Sequence, residues 1–532
     1  MRTQAEISEI MRRVKSRDTD PEMRLRRAVW RRGHRYRACS ADLPGKPDLV
    51  FPAAKLAVFV DGDFWHGNQW RSRGLPSVES QLEHVRNADY WIPKIQANIR
   101  RDFVNTRRLL EAGWRVLRLW ESQVRRDLPG SVETVLRAIN GQSRRTSLSY
   151  LPALTVAEFF SGIGLVRLAF ESSGWRVIFA NDIDPDKTEM YKANFGDAEL
   201  VRGDVHSIQP DVVPSCALYT ASFPCNDLSL AGSMAGLNGK QSGAYWGLIR
   251  ILKGKRAQDR PALILLENVP GFLASRKGKD FETALRALND LEYSCDAFFL
   301  DAVNFVPQSR RRLFVVAKKD LDCPGQVTSN RSCLRPKALT DFINAHPNIR
   351  WHVWPLPDPP EQNTRIESVL EDLPDDSPEW WSNERAAYFL GQMSKRHSEV
   401  AKKMIAGSDY SFGTAFRRVR HGKSMAELRV DGIAGCLRTP RGGSGRQILF
   451  KAGRGKYRVR LLTPRECARL QGVPDSYDIV GTFNGGLFAF GDAVCVPAIQ
   501  WIADNYLTPA ACAMMRGRIL VPANKSMGAD RP

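Results

Sequence analysis

The segment Leu154-Thr155-Val156-Ala157-Glu158-Phe159-Phe160-Ser161-Gly162-Ile163-Gly164 decides the fold of most of the chain. Its apolar start predicts a strand, and its glycines predict a tight turn that opens a helix. Glycine at such a turn lets the backbone approach a ligand closely, and the helix N-terminus faces that ligand. Asn181-Asp182 follows the next apolar run, and Gly203-Asp204 follows a third. This ordered trio predicts a nucleoside cofactor, with the first carboxylate placed to bind ribose hydroxyls.

Outward from that segment, short apolar runs alternate with helical stretches up to about residue 320. This rhythm is typical of an α/β fold with a parallel, doubly wound sheet. The predicted strands are Thr155–Phe160, Val177–Ala180, Ala217–Ala221, Ala262–Leu266 and Arg312–Ala317. The alternation of strands and helices is lost in a Pro-, Trp- and Arg-rich region. It resumes with a predicted helix at 464–471 and a closing segment at 491–505. We therefore predict a domain at 150–320, an inserted region at 321–455, a return to the domain at 456–510 and a tail at 511–532.

Residues 1–145 predict a separate α/β unit. Helical spacing is found over 7–33 and 95–112, and Asp18-Thr19-Asp20-Pro21 offers a helix cap with proline in the first turn. Residues 47–51 and 56–60 predict paired strands across a short Pro/Ala turn, and 114–120 predicts another strand. The polar stretch at 140–147 predicts a linker.

Charge and composition limit the classes of partner and compartment. The 532 residues carry a formal net charge of +20, and residues 1–150 hold 29 Lys and Arg against 17 Asp and Glu. Such a field concentrates polyanions, so we expect nucleic acid as the partner, the alternative being a merely basic surface. The ten cysteines contain no CxxC pair, which argues against a zinc ribbon or a disulfide framework. No apolar run predicts a membrane span and no signal segment begins the chain, so a cytoplasmic location is expected, and the oligomeric state stays open, a monomer included.

Three further motifs carry chemistry. Cys225 lies in Ser222-Phe223-Pro224-Cys225-Asn226, directly after a predicted strand, where a stabilised thiolate can act as a nucleophile. Read alone, such a cysteine is more often inert packing. The apolar run 263–266 ends in Glu267, a carboxylate at the mouth of the sheet, where parallel sheets bind ligands. Gln308-Ser309-Arg310-Arg311-Arg312 leads cations onto the next strand.

In this order the motifs closely resemble those of the DNA cytosine-5 methyltransferases, from about residue 154 to 505. The resemblance includes the late segments Leu462-Thr463-Pro464-Arg465-Glu466-Cys467-Ala468-Arg469-Leu470-Gln471-Gly472 and Gly491-Asp492-Ala493-Val494. It implies S-adenosyl-L-methionine as methyl donor and double-stranded DNA as substrate. Two departures are Asn226, where many relatives have glutamine, and Asp492, where asparagine is frequent.

The resemblance also implies residue roles. The Cys225 thiolate would add to C6 of a flipped-out cytosine, while Glu267 hydrogen-bonds or protonates N3. Arg312, and by the same analogy Arg310, would hold O2 and stabilise the adduct. The implied cofactor site comprises Phe160, Gly162, Gly164 and Pro224, with Asp182 on the ribose and Asp204 near the adenine.

The inserted region is, by the same resemblance, the target-recognition part. A glycine loop flanked by arginines, Arg438-Thr439-Pro440-Arg441-Gly442-Gly443-Ser444-Gly445-Arg446-Gln447, can enter a groove of the duplex. Arg441, Arg446 or Gln447 would then read base edges. The alternative is a loop that contacts phosphates and positions the DNA without reading its sequence.

Residues 8–125 resemble the very short patch repair endonucleases, which nick DNA beside thymine–guanine mismatches and share the fold of many restriction enzymes. The shared segments are Asp18–Glu22, Leu43–Phe51, Phe59–Gly67 and Gly113–Leu117. The resemblance implies that Asp48 is a Mg²⁺ ligand, that His66 is the base or acid at the scissile phosphate and that Glu22 assists. Phe64, Trp65 and Trp91 match aromatic residues that wedge into the base stack.

Two departures from that family matter. Asp61 stands where the repair enzymes usually carry a second histidine, and with Asp48 it would give a two-carboxylate metal site. Asp63, Asn68 and Ser122 occupy the positions of structural zinc ligands in some relatives, so we expect no zinc.

Together the motifs favour a cytosine-5 methyltransferase coupled to a mismatch-nicking endonuclease, because deamination of methylcytosine leaves a T·G mismatch at the methylated site. One alternative is a restriction–modification fusion whose N-terminal unit cuts unmethylated duplex. Another is an N-terminal unit that only tethers DNA.

Overall fold

The computed structural model describes residues 17–66, 91, 94, 95, 98, 101, 102, 105, 106, 108, 109, 112–140, 154–224, 236–239, 242–319, 332–361, 363–420, 422–439, 445–511 and 514. Asn68, Cys225, Asn226 and Arg441 lie outside these ranges, as does the predicted helical stretch before residue 17. The chain divides into two compact units, Met1–Ala153 with Thr508–Pro532, and Leu154–Leu507.

The N-terminal unit is built on a four-stranded sheet in the order β1-β2-β3-β4. The strands are β1 (Arg37–Ala38), β2 (Leu49–Phe51), β3 (Leu56–Asp61) and β4 (Arg115–Trp120). The described helices are Asp20–Arg31, Glu121–Arg126 and Leu128–Ile139. Antiparallel pairing of β2 with β3 across the Pro/Ala turn confirms the sequence prediction, and β4 runs parallel to β3. The carboxyl end of β3 therefore lies beside the end of β4, and polar residues gather there.

The first described helix begins at Asp20, and the two residues before it are not helical, so a continuous helix over 7–33 is wrong. Asp18 has φ of 56° and Thr19 is extended, which interrupts the helical backbone. Pro21 lies in the first turn, where its missing N–H leaves no intrahelical bond unmade. The predicted helix start, with proline in the first turn, is thus confirmed. The Thr19 side chain at the cap position makes no capping hydrogen bond.

The larger unit contains a seven-stranded sheet in the order β10-β11-β9-β8-β5-β6-β7. The strands are β5 (Thr155–Phe159), β6 (Arg176–Asp182), β7 (Leu200–Arg202), β8 (Leu218–Ala221), β9 (Leu263–Asn268), β10 (Tyr293–Asp301) and β11 (Arg311–Lys319). The accompanying helices are Leu165–Ser172, Pro185–Phe195, Ala244–Gly254, Gly271–Ala274 and Lys279–Asn289. Side chains from the helices Ala244–Gly254 and Lys279–Asn289 share one buried core with alternate residues of the strands. Five strands, from β9 to β7, run parallel as predicted.

The expectation of a wholly parallel sheet is wrong at one edge, where β11 is antiparallel to both β9 and β10. β10, which the sequence reading missed, reaches β11 through residues 302–310 only. A connection this short cannot cross over the sheet, so the chain must return in the opposite direction.

The inserted region has its own four-stranded antiparallel sheet in the order β13-β12-β14-β15. It comprises β12 (Ser411–Arg420), β13 (Lys423–Arg429), β14 (Ile448–Gly453) and β15 (Lys456–Leu461), packed against the helices Asn383–Gly391 and Lys395–Ile405. β15 pairs with β14, so this sheet extends past the predicted boundary at 455.

The other predicted boundary of the inserted region, at 321, is also displaced. Leu339 and Ile343, on the helix Lys337–Ala345, pack with Trp351 in the core of the seven-stranded sheet. Trp351 also bridges Cys295 of β10 in parallel. Burial of these apolar side chains shows that this stretch packs with the seven-stranded sheet and not with the inserted sheet.

The chain then returns to the large domain through the helices Pro464–Leu470, Phe483–Asp492 and Val496–Ile502. The stretch Phe483–Ala511 is long and apolar enough to pass a membrane-span test, with a mean hydropathy of 1.5, yet 67% of that window is buried within the protein. A core helix passes the same test, so this stretch is weak evidence for a membrane.

A buried ion pair joins the inserted sheet to the returning helix. Arg460 of β15 and Glu466 are 1% and 0% exposed, and the two guanidinium nitrogens lie 2.6 and 2.5 Å from the carboxylate oxygens. Arg460→Met should lower the free energy of unfolding by about 3–5 kcal/mol, because the Glu466 carboxylate would stay buried without its counter-ion. Denaturant unfolding measures this loss.

Lys337→Met is the control, because it breaks an exposed i,i+4 pair with Asp341 and should change stability little. Equal effects of the two substitutions would contradict the importance of the buried pair.

Candidate active sites

Glu267 and Arg312 meet at the mouth of the seven-stranded sheet. Glu267 lies at the end of β9 and pairs in register with Phe314 of β11, so Arg312, two residues away, shares its face. The Arg312 Nε atom lies 3.0 Å from Glu267 Oε1, and the two side chains are only 15% and 11% exposed. The structure therefore brings together the predicted N3 and O2 partners.

The loop that leads into Cys225 is fixed from the same strand. Asn268 follows Glu267 directly, and its Nδ2 donates a hydrogen bond of 3.1 Å to the carbonyl of Phe223. Asn268 is 3% exposed. Sequence reasoning missed this residue, although an amide directly after a carboxylate at a strand end is the available signal.

Arg310 has different partners from those predicted. Its guanidinium donates to the carbonyl oxygens of Leu437, at 2.8 Å, and Gly491, at 3.2 Å, and to that of Ala493. The side chain is 3% exposed. We therefore assign Arg310 to positioning these segments, and Arg312 remains the candidate for binding the base.

The glycine turn and the Asp182 carboxylate form one hydrogen-bonded unit. Gly162 N–H donates to Asp182 Oδ2 at 2.7 Å, and Asp184 N–H donates to Oδ1 at 2.9 Å. Burial raises the pKa of Asp182 above its usual value. Phe160 and Gly162 both have positive φ, of 58° and 55°, so the turn is sharply bent between β5 and the next helix.

The residues around this turn fit a nucleoside cofactor. The Ser161 hydroxyl is buried and has no hydrogen-bond partner among the described residues. Asn181 Nδ2 donates to the carbonyls of Val201 and Gly203, both at 2.9 Å, which fixes the turn before Asp204. Two carboxylates and an unpaired hydroxyl are thus presented at adjacent strand ends, the position where such sheets bind ligands.

Asp492, which stands where the resembled family often has asparagine, forms an ion pair with a lysine. Lys187 Nζ lies 2.7 Å from Asp492 Oδ2, and the Thr439 hydroxyl donates to Oδ1. Lys187 belongs to the helix that follows Asp182. The carboxylate is therefore neutralised locally instead of facing the cofactor site as an isolated charge.

Gln447, predicted to read base edges, is buried. It is 6% exposed, and its Oε1 accepts a 3.0 Å hydrogen bond from Gly435 N–H. The buried side chain holds the neighbouring segment and does not reach the surface, so the predicted contact with base edges is wrong. Arg446 is partly exposed and remains a candidate.

In the N-terminal unit, Asp48 and Glu22 approach one another at the start of β2. Val60 N–H donates to Asp48 Oδ2 at 2.7 Å. Burial, followed by repulsion from Glu22, raises the pKa of Asp48 to about 7. Arg26 lies 3.5 Å from Glu22 and 3.8 Å from Asp48, which compensates the two carboxylates only in part.

His66 is paired with Asp102, a residue that sequence reasoning missed. The His66 Nδ1 atom hydrogen-bonds to Asp102 Oδ2 and lies 3.7 Å from Asp61 Oδ1. Asp102 is 36 residues further along the chain, in a helical stretch without a recognisable motif. A carboxylate on one ring nitrogen orients an imidazole for proton transfer at the other.

Asp61, the second metal carboxylate suggested by the sequence, is paired with an arginine. Arg118 donates to both of its oxygens, at 2.6 Å each, and Arg118 Nη2 also lies 3.3 Å from Asp102 Oδ1. Although ligand atoms of Asp61, His66 and Asp102 lie within 4.8 Å of one another, the guanidinium already compensates this group. Asp63 is likewise committed, because it accepts hydrogen bonds from the N–H and hydroxyl of Ser122.

The predicted wedge residues form one aromatic cluster. The ring centroids of Phe64, Trp65 and Trp91 lie 5.3–5.5 Å apart in edge-to-face pairs. Phe64 and Trp65 follow β3 closely along the chain, next to His66, and Trp91 joins them from a helical position.

The mixed seven-stranded sheet, the glycine turn and the Glu267–Arg312 pair define an α/β methyltransferase domain. Residues 154–508 match the family described as C-5 cytosine-specific DNA methylase, and residues 1–72 match the DNA mismatch endonuclease Vsr family. The chain belongs to the C-5 cytosine-specific DNA methylases, and its N-terminal unit belongs to the Vsr family.

Individual relatives agree with this division. The Type II methyltransferase M.HhaI of Haemophilus parahaemolyticus is 27% identical over 360 residues, covering 67% of this chain and 94% of that protein. The Type II nicking enzyme V.NmeDIP of Neisseria meningitidis serogroup C is 43% identical over 129 residues, covering 24% of this chain and 82% of that protein. Among solved structures, the Dnmt2 methyltransferase of S. pombe aligns over 67% of this chain and 98% of its own, with a TM-score of 0.45 and 19% identity.

Gly164 tests the cofactor turn. It has φ of 82°, and an added Cβ would lie 2.5 Å from Phe195 and 2.9 Å from Tyr191. Gly164→Ala should therefore lower stability by more than the roughly 1–2 kcal/mol of left-handed strain alone. We also expect at least tenfold weaker binding of S-adenosylhomocysteine, measured by calorimetric titration.

Gly174→Ala is the matched control, because it has a similar φ of 79° with no atom within 4 Å of the added Cβ. If both variants lost the same stability and bound the ligand equally, the packing argument for Gly164 would fail.

Proposed function

We propose that this protein transfers a methyl group to C5 of cytosine in a specific duplex sequence through a covalent adduct at Cys225. The observation that carries the proposal is the Glu267–Arg312 pair beside the loop that leads into position 225. Carboxylate, guanidinium and thiol are the three groups that an unreactive pyrimidine ring needs in order to become nucleophilic at C5.

The reaction assigns one task to each side chain. The Cys225 thiolate adds to C6, and Glu267 donates a hydrogen bond or proton to N3, so the electron pair becomes available at C5. Arg312 holds O2 as charge develops on the ring. S-adenosylmethionine, when bound at the glycine turn, would supply the methyl group that C5 takes, and S-adenosylhomocysteine would be released. Loss of the C5 proton to a base then re-forms the 5,6 double bond and expels the Cys225 thiolate.

These contacts require the base to leave the helix, because C6 and N3 are not both accessible in a stacked pair. Arg312 and Glu267 are paired with each other in the free protein. A flipped cytosine would replace that contact by offering O2 to the guanidinium and N3 to the carboxyl group. Arg446, with Arg441 in the neighbouring loop, is proposed to contact the DNA around the target.

Cys225→Ala should abolish methyl transfer while leaving cofactor and DNA binding intact, because only the nucleophile is removed. Glu267→Gln should lower kcat by about 10²–10³, the scale expected for losing one stabilising group in the transition state. Tritium transfer from labelled S-adenosylmethionine measures both effects, and bisulfite sequencing of DNA from an expressing host locates the target.

Cys333→Ala is the control thiol, since Cys333 is exposed and lies outside the site. Methyl transfer by a folded Cys225→Ala variant would refute the assigned mechanism.

For the N-terminal unit, we infer a strand-specific nick beside a T·G mismatch. His66, oriented by Asp102, is proposed as the base or acid at the scissile phosphate. The aromatic cluster of Phe64, Trp65 and Trp91 is proposed to insert beside the mismatched pair. The unit then acts on the lesion that deamination of the methylated product creates.

Asp48, assisted by Glu22, is the proposed Mg²⁺ site. The raised pKa of Asp48 reflects burial and the neighbouring negative charge, so this pair is short of positive charge. Oxygen ligands of this kind are those that Mg²⁺ prefers. A bound Mg²⁺ would neutralise charge on the scissile phosphate.

Asp48→Asn should remove nicking of T·G duplex, assayed on labelled strands with Mg²⁺, and leave methyl transfer unchanged. Glu133→Gln is the control, because Glu133 forms only an exposed pair with Arg137. Nicking without T·G preference would contradict the repair assignment, and double-strand cleavage blocked by methylation would establish the restriction–modification alternative. If the wild type bound DNA without cleaving it, the alternative of an N-terminal unit that only tethers DNA would be supported.

A further inference from the structure

The two peptide carbonyls immediately before Cys225 are both held by buried side chains. Phe223 O accepts from Asn268 Nδ2 at 3.1 Å, and Pro224 O accepts from Ser242 Oγ at 2.9 Å. The donor residues Asn268 and Ser242 are 3% and 0% exposed, and Phe223 is buried, while Pro224 is exposed. The two donors come from different elements, the end of β9 and the turn before the helix Ala244–Gly254.

Ser242 is itself firmly positioned. Gly243 N–H bonds to Gly239 O at 2.9 Å, and an added Cβ at Gly243 would lie 2.8 Å from that same oxygen. The helix that follows buries Tyr245 and Leu248 completely in the main core. Ser242 thus lies in the turn directly before a helix anchored in the core, and a reactive group must be held to within about 0.5 Å by such supported residues.

The hydrogen bond from Ser242 is made to a proline, the residue directly before Cys225. Proline has no N–H, so its carbonyl is the only backbone hydrogen-bonding group that residue 224 contributes. Pro224 is an exposed residue, but its carbonyl accepts a hydrogen bond from the Ser242 hydroxyl, which belongs to a fully buried side chain. The peptide plane that this bond orients is the one that joins residue 224 to the nucleophile.

We propose that Ser242 is a positioning residue for the nucleophile, which it orients through the Pro224 carbonyl. The inference rests on the proposed role of Cys225. Sequence reasoning passed over Ser242 because its partner lies 18 residues earlier and no motif marks it. Since a displacement of about 1 Å in a reacting group can cost 10²-fold in rate, loss of this hydroxyl should slow addition to C6.

The test compares Ser242→Ala with Ser294→Ala. Ser294 is also buried, at 1% exposure, and its hydroxyl also donates to a backbone carbonyl, that of Lys318 at 3.2 Å, on strands away from the nucleophile loop. Each substitution removes one buried hydroxyl, so similar shifts in melting temperature are expected. Binding of S-adenosylhomocysteine confirms that each variant is folded.

The probe is a duplex that carries 5-fluorocytosine at the position found by bisulfite sequencing, together with S-adenosylmethionine. Fluorine replaces the proton that must leave C5, so the Cys225 adduct persists and is counted on a denaturing gel. Ser242→Ala should form this adduct about 10–100-fold more slowly, with KM for DNA and for S-adenosylmethionine changed less than twofold. Ser294→Ala should form it at the wild-type rate.

Equal adduct rates for Ser242→Ala and the wild type, or equal slowing in the two serine variants, would overturn the positioning role alone. If the wild type formed no adduct, the proposed chemistry at Cys225 would fall and this inference with it.

Discussion

The guanidinium of Arg310 is the contact on which the larger site depends. It donates to carbonyls of Leu437, Gly491 and Ala493, which lie 127, 181 and 183 residues further along the chain. Its Nη1 and Nη2 atoms are paired with these carbonyls, which limits the cost of burying the guanidinium. These bonds therefore connect the segment around Leu437 and the closing helices to the start of β11. Arg312, two residues later, then meets Glu267 across the sheet.

This arrangement explains why two arginines of one motif have separate tasks. Both are cations at alternate positions, so the sequence alone assigned both to the base. The two arginines differ in their partners. Arg310 is 3% exposed and its guanidinium donates to backbone carbonyls, while Arg312 pairs with Glu267 in the site. The distinction rests on partners far away in the chain, and no local pattern contains it.

Local patterns predicted the parts of the fold that local physics determines. The parallel strands, the β2–β3 hairpin and the glycine turn follow from apolar periodicity and turn residues. The strand β11 was predicted, but its antiparallel direction was missed because β10 had not been recognised as a strand. Asp102 and Arg118 were missed for a related reason, since their importance comes from Asp61 and His66, which reach them only through tertiary packing. Gln447 was misassigned because its burial depends on the neighbouring Gly435 segment.

The N-terminal unit contains two groups of carboxylates that differ in their charge balance. Asp61 and Asp102 share the guanidinium of Arg118, which contacts both oxygens of Asp61 at 2.6 Å, so that group is already compensated. Among the described residues, the cation beside Asp48 and Glu22 is Arg26, at 3.5–3.8 Å, and the pKa of Asp48 rises to about 7 through burial and repulsion. Opposite charge favours the ionised form of a carboxyl group, so an added cation gains most where compensation is least complete. This argument favours Asp48 over Asp61 as the proposed Mg²⁺ ligand, and the proposed proton transfer by His66 rests on its bond to Asp102.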